Sequence, residues 1–242
     1  MQFANGQLVV FLGDSLTEHA VAVSDAMETQ TADLPPIGAS VPVERYEHRG
    51  WTALLSALIS LAHPERRIRY LNAGRGGDTS RLMLARLETD ALAHRPQWLL
   101  LNVGVVDVRR SFQPARASEA VPLDEYTTNL ATMTRWAQQR GVSIVFLEPT
   151  PHVRPPTGAP PDVTVEEVNV LTQRYAAAMA QVARQTSVGF VALFEHFQRM
   201  QATMVAQSMS LYADEVHLNL LGDLLYAQLV CAYLDNQQDL AA

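Results

Sequence analysis

Ser15 closes an apolar run, LVVFLGDSLT over residues 8–17, and the local sequence allows it two roles. A serine at the end of a strand caps a helix or shapes a turn. It becomes a nucleophile only where a base takes its proton. Seven histidines compete to be that base. His217, in LYADEVHLNLLGD, has Asp214 three residues before it. A short Asp-x-x-His loop lets the carboxylate accept a hydrogen bond from one ring nitrogen while the other faces outward, the base-plus-orienter pair of a triad. The competing reading is a turn-forming aspartate followed by a histidine at a helix N-terminus.

The other histidines offer less. His63 and His94 sit near prolines at helix ends and read as surface residues. His48, between Glu47 and Arg49, reads as part of a solvated turn, and His19 is too local to serve Ser15. His196 in FEHF reads as a structural histidine, and nothing marks His152 within its proline-rich loop.

Composition removes several chemistries. All eighteen basic residues are arginine, which excludes lysine Schiff bases and a lysine-dependent phosphate loop. The net charge of −7 argues against a nucleic-acid surface. The single cysteine, Cys231, cannot form an intrachain disulfide, and its place in LLYAQLVCAYL reads as buried helix filler. No histidine pair has HExxH-like spacing, so neither a metal nor any other cofactor is expected. GRGGDTS after a strand suggests a phosphate cradle at a helix N-terminus, but it matches neither glycine-rich nucleotide fingerprint.

The elements that must position Ser15 and His217 follow from periodicity. Short apolar runs at 8–12, 68–72, 98–103 and 144–147, with a weaker one at 189–193, predict strands covered on both faces. Between them lie helical patterns. Trp51, Leu54, Leu55, Leu58 and Ile59 mark one apolar face, and Leu82, Ala85, Leu87 and Leu92 a less regular one. A third helix ends near Gly141, a fourth begins with the capping-box pair Thr164 and Glu167, and the last covers about 220–234. This alternation predicts a doubly wound α/β domain spanning residues 1–242. Two irregular stretches, 19–49 and 148–162, read as long surface loops near the C-terminal ends of strands, where such sheets bind ligands. No basic leader or membrane-length apolar run is present, so the expected location is the cytoplasm, with no membrane partner.

Four segments, in order, make the chain resemble the SGNH (GDSL) hydrolase family of esterases and lipases. They are GDSL at 13–16, NAGRGGDTS at 72–80, NVGVVD at 102–107 and DEVH at 214–217. The resemblance runs over nearly the whole chain and includes the R-G-W opening of the first long helix. It implies a three-layer α/β/α, flavodoxin-like fold with a five-stranded parallel sheet. It also implies that Ser15 attacks an ester carbonyl of a small-molecule substrate, that His217 relays the proton and that Asp214 holds the imidazole. The oxyanion would be received by the amides of Ser15 and Gly77; a glycine-rich turn suits close approach of backbone N–H groups to developing charge.

The sequence departs from the family at the third oxyanion donor, where Val106 takes the place of an asparagine. Loss of one such donor costs roughly 100- to 1000-fold in turnover. Asn102, Arg75 or a water are candidate substitutes, and Asp14, Arg75, Asn102 and Val106 are weaker substrate-binding candidates. Leu218 replaces the proline that usually follows the histidine. Asp14 and Asp107 read as braces of the site's loops, Asp78 and Thr79 as caps, and Arg109 and Arg110 as surface residues or contacts to an anionic or sugar-like substrate. The expected activity is a serine esterase acting on small acyl esters, including O-acetyl groups on carbohydrate. Its rival is a catalytically impaired protein of the same fold that binds a carbohydrate or acyl ligand.

Overall fold

Strands that are apolar on successive residues need cover on both sides, and alternation of side chains divides each strand between two cores. The computed structural model describes residues 3–18, 41–42 and 50–236. His19, His48, Glu47 and Arg49, and with them most of the 19–49 stretch, lie outside the described residues.

Five parallel strands form at the expected runs: β1 (Leu8–Gly13), β3 (Arg69–Gly74), β4 (Trp98–Asn102), β5 (Ser143–Leu147) and β6 (Gly189–Val191). A sixth, two-residue strand, β2 (Val41–Pro42), pairs antiparallel with the edge of β3 and was not expected. Proline has no N–H for a second ladder, so this strand suits only an edge. The sheet order is β2-β3-β1-β4-β5-β6. The chain therefore moves outward from β1 to β3 and then crosses back to β4. β1 and β4 straddle the point where strand order reverses, the usual ligand crevice of such sheets. Gly13 is level with Gly74 on one side and Asn102 on the other, so three strands end together there.

The helices are α1 (Ser15–Glu18), α2 (Gly50–Ala62), α3 (Ser80–Asp90), α4 (Val105–Ser111), α5 (Leu123–Gln139), α6 (Val165–Thr186), α7 (Phe194–Ala206) and α8 (Leu220–Asn236). On one face Val9, Phe11, Tyr70, Leu100, Val145 and Leu147 pack against α2, α7 and α8. On the other, Leu8, Val10, Leu12, Leu71, Leu99 and Phe146 pack against α3, α5 and α6. Helix α6 begins with the expected capping box between Thr164 and Glu167, and Gly141 follows α5 with φ of +68°.

Three expectations need correction. In α3 the buried face is carried by Met83, Arg86 and Leu87, whereas Leu82 is exposed, because Arg86 must face inward to meet its partners. The 148–162 stretch is not wholly a surface loop, since Thr150 and His152 are buried under the segment that carries His217. His196 is exposed on α7 and contacts Arg199 rather than the core.

Leu130 lies in the centre of the α5 face and is fully buried. Leu130→Ala is expected to cost about 2–5 kcal/mol through lost contacts and the cavity left behind. A urea denaturation series would read it as a lower midpoint with an unchanged slope.

Candidate active site

Helix α1 starts one residue after β1 because Asp14 caps it. The Asp14 backbone carbonyl accepts from Thr17 and Glu18 N–H, and Oδ1 accepts from Leu16 N–H at 2.9 Å. Ser15 is thereby held at the C-terminal edge of the sheet, beside the β1/β4 crevice. Asp14 is wholly buried, and burial pushes its carboxyl up to about 6, against the pull of the Leu16 amide and the charges of His217 and Arg109.

His217 comes from the far end of the chain. Its segment folds back on itself: Ala213 N–H donates to His217 O at 2.8 Å, and Tyr212 bridges to Leu218. Asn219 then caps α8, its Oδ1 accepting from Leu221 and Gly222 N–H. Asp214 Oδ1 accepts from the Val216 and His217 amides at 2.8 and 2.7 Å, leaving Oδ2 for the ring. Nδ1 of His217 lies 2.6 Å from Asp214 Oδ2, and Nε2 lies 2.8 Å from Ser15 Oγ. Burial raises the Asp214 carboxyl, but these amide bonds and the imidazole more than offset it and hold it below the usual range. An ionised Asp214 can only accept, so Nδ1 carries the proton and Nε2 is free to take one from Ser15.

Opposite the histidine, residues 74–80 form the glycine-rich turn after β3. Gly74 packs so closely on α1 that a Cβ would stand 2.2 Å from Glu18 N, and Gly77 holds a left-handed φ of +79°. Gly76 N–H donates to Glu18 Oε2 at 2.6 Å and Asp78 N–H to Arg75 O at 3.2 Å. Among the described residues the Gly77 amide between them has no acceptor, which leaves it available to an oxyanion. Thr79 caps α3 as expected, while Asp78 instead pairs with Arg86. The buried Arg86 guanidinium also donates to Ala73 O at 2.7 Å and Gly13 O at 3.1 Å. On the far side, both oxygens of Asp107 accept from Ser80 N–H at 3.0 Å, and Ser80 Oγ donates to Oδ1 at 2.6 Å. Burial lifts the Asp107 carboxyl to about 7 against these bonds.

The weaker candidates separate. Asn102 is buried, with its amide nitrogen donating to Tyr226 Oη at 2.8 Å. Arg75 is 60 % exposed and pairs with Asp90. Val106 is buried on α4 and offers no donor. Arg109 and Arg110 are not solvated surface arginines. Arg110 reaches Glu119, Gln113 and, at 3.5 Å, Gly77 O. Arg109 donates to Glu215 Oε1 at 2.8 Å, next to Asp214 in the chain. His152 is buried, among the described residues it has no hydrogen-bond partner on either ring nitrogen, and burial together with the nearby Arg109 charge pushes it down to about 3. Sequence reading passed over Arg86, Glu18 and Glu215. The one available signal was a lone arginine at helical spacing from Met83. Among the described residues no group of three or more His, Cys, Asp or Glu side chains has the placement to hold a metal ion.

Residues 11–224 match the GDSL-like Lipase/Acylhydrolase family, and the chain belongs to that family. It is 25% identical over 229 residues to an acetylxylan esterase of Geobacillus stearothermophilus, covering 94% of each chain. The crystal structure of an acetylxylan esterase from that organism superposes with a TM-score of 0.76 at 24% identity, over 98% of this chain and 96% of that one. An α/β hydrolase enzyme from the metagenome of Lake Arreo, Spain, gives 0.75 at 24% identity, over 96% of this chain and 97% of that one. Family membership makes the protein a carboxylic ester hydrolase. No helix among the described residues is long and apolar enough to cross a membrane.

The raised Asp14 carboxyl gives a stability prediction whose sign is fixed. A carboxyl held above its usual 3.8 favours the folded state most when protonated, and that contribution is lost as pH rises through about 6. Asp14→Asn keeps the acceptor for Leu16 N–H and cannot ionise. The stability of this variant relative to wild type is expected to rise between pH 4 and about 6 and to level off above it, as read by urea midpoints.

Proposed function

We propose that the protein is a serine esterase that removes small acyl groups, acetyl among them, from hydroxylated alcohols such as sugars. Ser15 Oγ attacks the ester carbonyl carbon while Nε2 of His217 takes its proton, and Asp214 keeps the imidazole in the required tautomer. The carbonyl oxygen gains the negative charge and is received by the amides of Ser15 and Gly77. Collapse of the intermediate expels the alcohol, which takes the proton from His217. Water then releases the acid by the same route, and Ser15 regains its proton.

The observation that carries this reading is the hydrogen-bonded run from Ser15 through His217 to Asp214, in a chain whose Gly77 amide has no acceptor among the described residues. The acetyl and sugar parts rest on the acetylxylan esterase likeness. Buried Val106, which has no donor to offer, favours a second reading: an impaired protein on the same fold that binds a carbohydrate or acyl ligand without turning it over.

Hydrolysis of an activated acetyl ester distinguishes the two. Wild type is expected to exceed Ser15→Ala and His217→Ala by roughly 1000-fold or more in kcat. A wild type no faster than Ser15→Ala would leave the binding protein as the correct description.

A further inference from the structure

Position 106 lacks a side-chain amide, yet the same short helix carries a stronger side-chain donor one turn further on. Residues 106 and 109 stand at i and i+3, on one face of α4, and helical side chains lean back toward the N-terminus. The Arg109 side chain is 16% exposed, and its guanidinium donates through one terminal nitrogen to Glu215 Oε1, adjacent to Asp214 in the chain. Glu215 is itself fixed. Thr157 Oγ1 donates to the same oxygen at 3.3 Å, and Val153 N–H donates to the Glu215 backbone carbonyl at 3.0 Å. Arg109 Nε is buried, and among the described residues it has no acceptor. The guanidinium charge also acts on Asp14, the neighbour of Ser15, and on buried His152. A cation with one donor, Nε, unpaired among the described residues therefore bridges the helix of residue 106 and the segment that carries His217.

The other groups near the site are committed elsewhere. Asn102 is bound to Tyr226, Arg75 to Asp90, and Arg110 to Glu119, Gln113 and Gly77 O. Resting on the reading of Ser15 as nucleophile, we propose that Arg109 is a catalytic residue that donates to the oxyanion in place of the missing amide at position 106. An unmatched donor in a partly dry site is costly in the resting enzyme, and that cost is relieved when negative charge forms beside it. This differential is what lowers a barrier, whereas a donor already satisfied in the ground state contributes nothing to it. Glu215 holds the guanidinium in place and offsets part of its charge, so the resting site is not left with an isolated cation.

The test is a double-mutant cycle on positions 106 and 109, read as kcat and KM on an activated acetyl ester. Arg109→Met is expected to lower kcat about 100-fold while KM changes less than about threefold. Val106→Asn is expected to raise the kcat of Arg109→Met at least about tenfold more than it raises that of wild type, because the new amide does the same job. Arg109→Gln, which keeps a neutral donor for Glu215, is expected to lose at least about tenfold in kcat, separating lost charge from lost tethering. Equal gains from Val106→Asn in both backgrounds would overturn the proposal. So would an Arg109→Met effect on KM alone, or wild-type kcat in Arg109→Gln. Failure of the nucleophile reading is recognised separately, by Ser15→Ala matching wild type.

Discussion

The site rests on one buried cation. Parallel strands that end level leave backbone carbonyls at their C-terminal edge, and Arg86 closes two of them, those of Gly13 and Ala73, with a single planar fork. The same guanidinium holds Asp78, and through it the turn that carries Gly77. A charge this deeply buried persists only when its partners surround it. The end of β1, the end of β3 and the glycine-rich turn are consequently set relative to one another before Ser15, His217 or Asp214 is considered.

Helix α4 completes the arrangement from the other side of the crevice. Within four residues it offers a carboxylate to Ser80 through Asp107, a guanidinium to Gly77 O through Arg110, and another to Glu215 through Arg109. The first two contacts brace the turn that carries Gly77, and the third braces the segment that carries His217. Both halves of the site thus take their position from one short element. Burial shifts the Asp107 carboxyl upward even while Ser80 satisfies it. That is the expected balance when a group is retained for orientation at some cost in solvation.

What could be read in the residues beforehand was what depends on local pattern. Five strands, most of the helices and the Asp214–His217 pair follow from runs and spacings of a few residues. The misses share a physical origin, because each is decided by a contact distant in the chain. Leu82 fits an apolar stripe as well as Met83 does. Only the partners of Arg86, thirteen and seventy-three residues away, turn α3 so that Leu82 faces water. Asn102 looked available as a donor until Tyr226, 124 residues later, claimed it. Helix α4 is too short to show a period, and Val41–Pro42 forms a strand only because the edge of β3 lies beside it.

The hydrogen bond between Ser15 and His217 joins residues 202 positions apart, one delivered by the first strand and the other by the lead-in to the last helix. That separation has a consequence for synthesis on the ribosome. Strands and helices can dock as they emerge, but Ser15 cannot meet His217 until the segment that leads into α8 has left the exit tunnel. Helix α8 also brings Tyr226, Ala227, Val230 and Leu234 to one face of the sheet, so that face stays wet until the same moment. The Ser15–His217 contact and completion of that core therefore arrive together. A nascent chain carries Ser15 long before His217, and the two meet only as α8 folds onto the sheet.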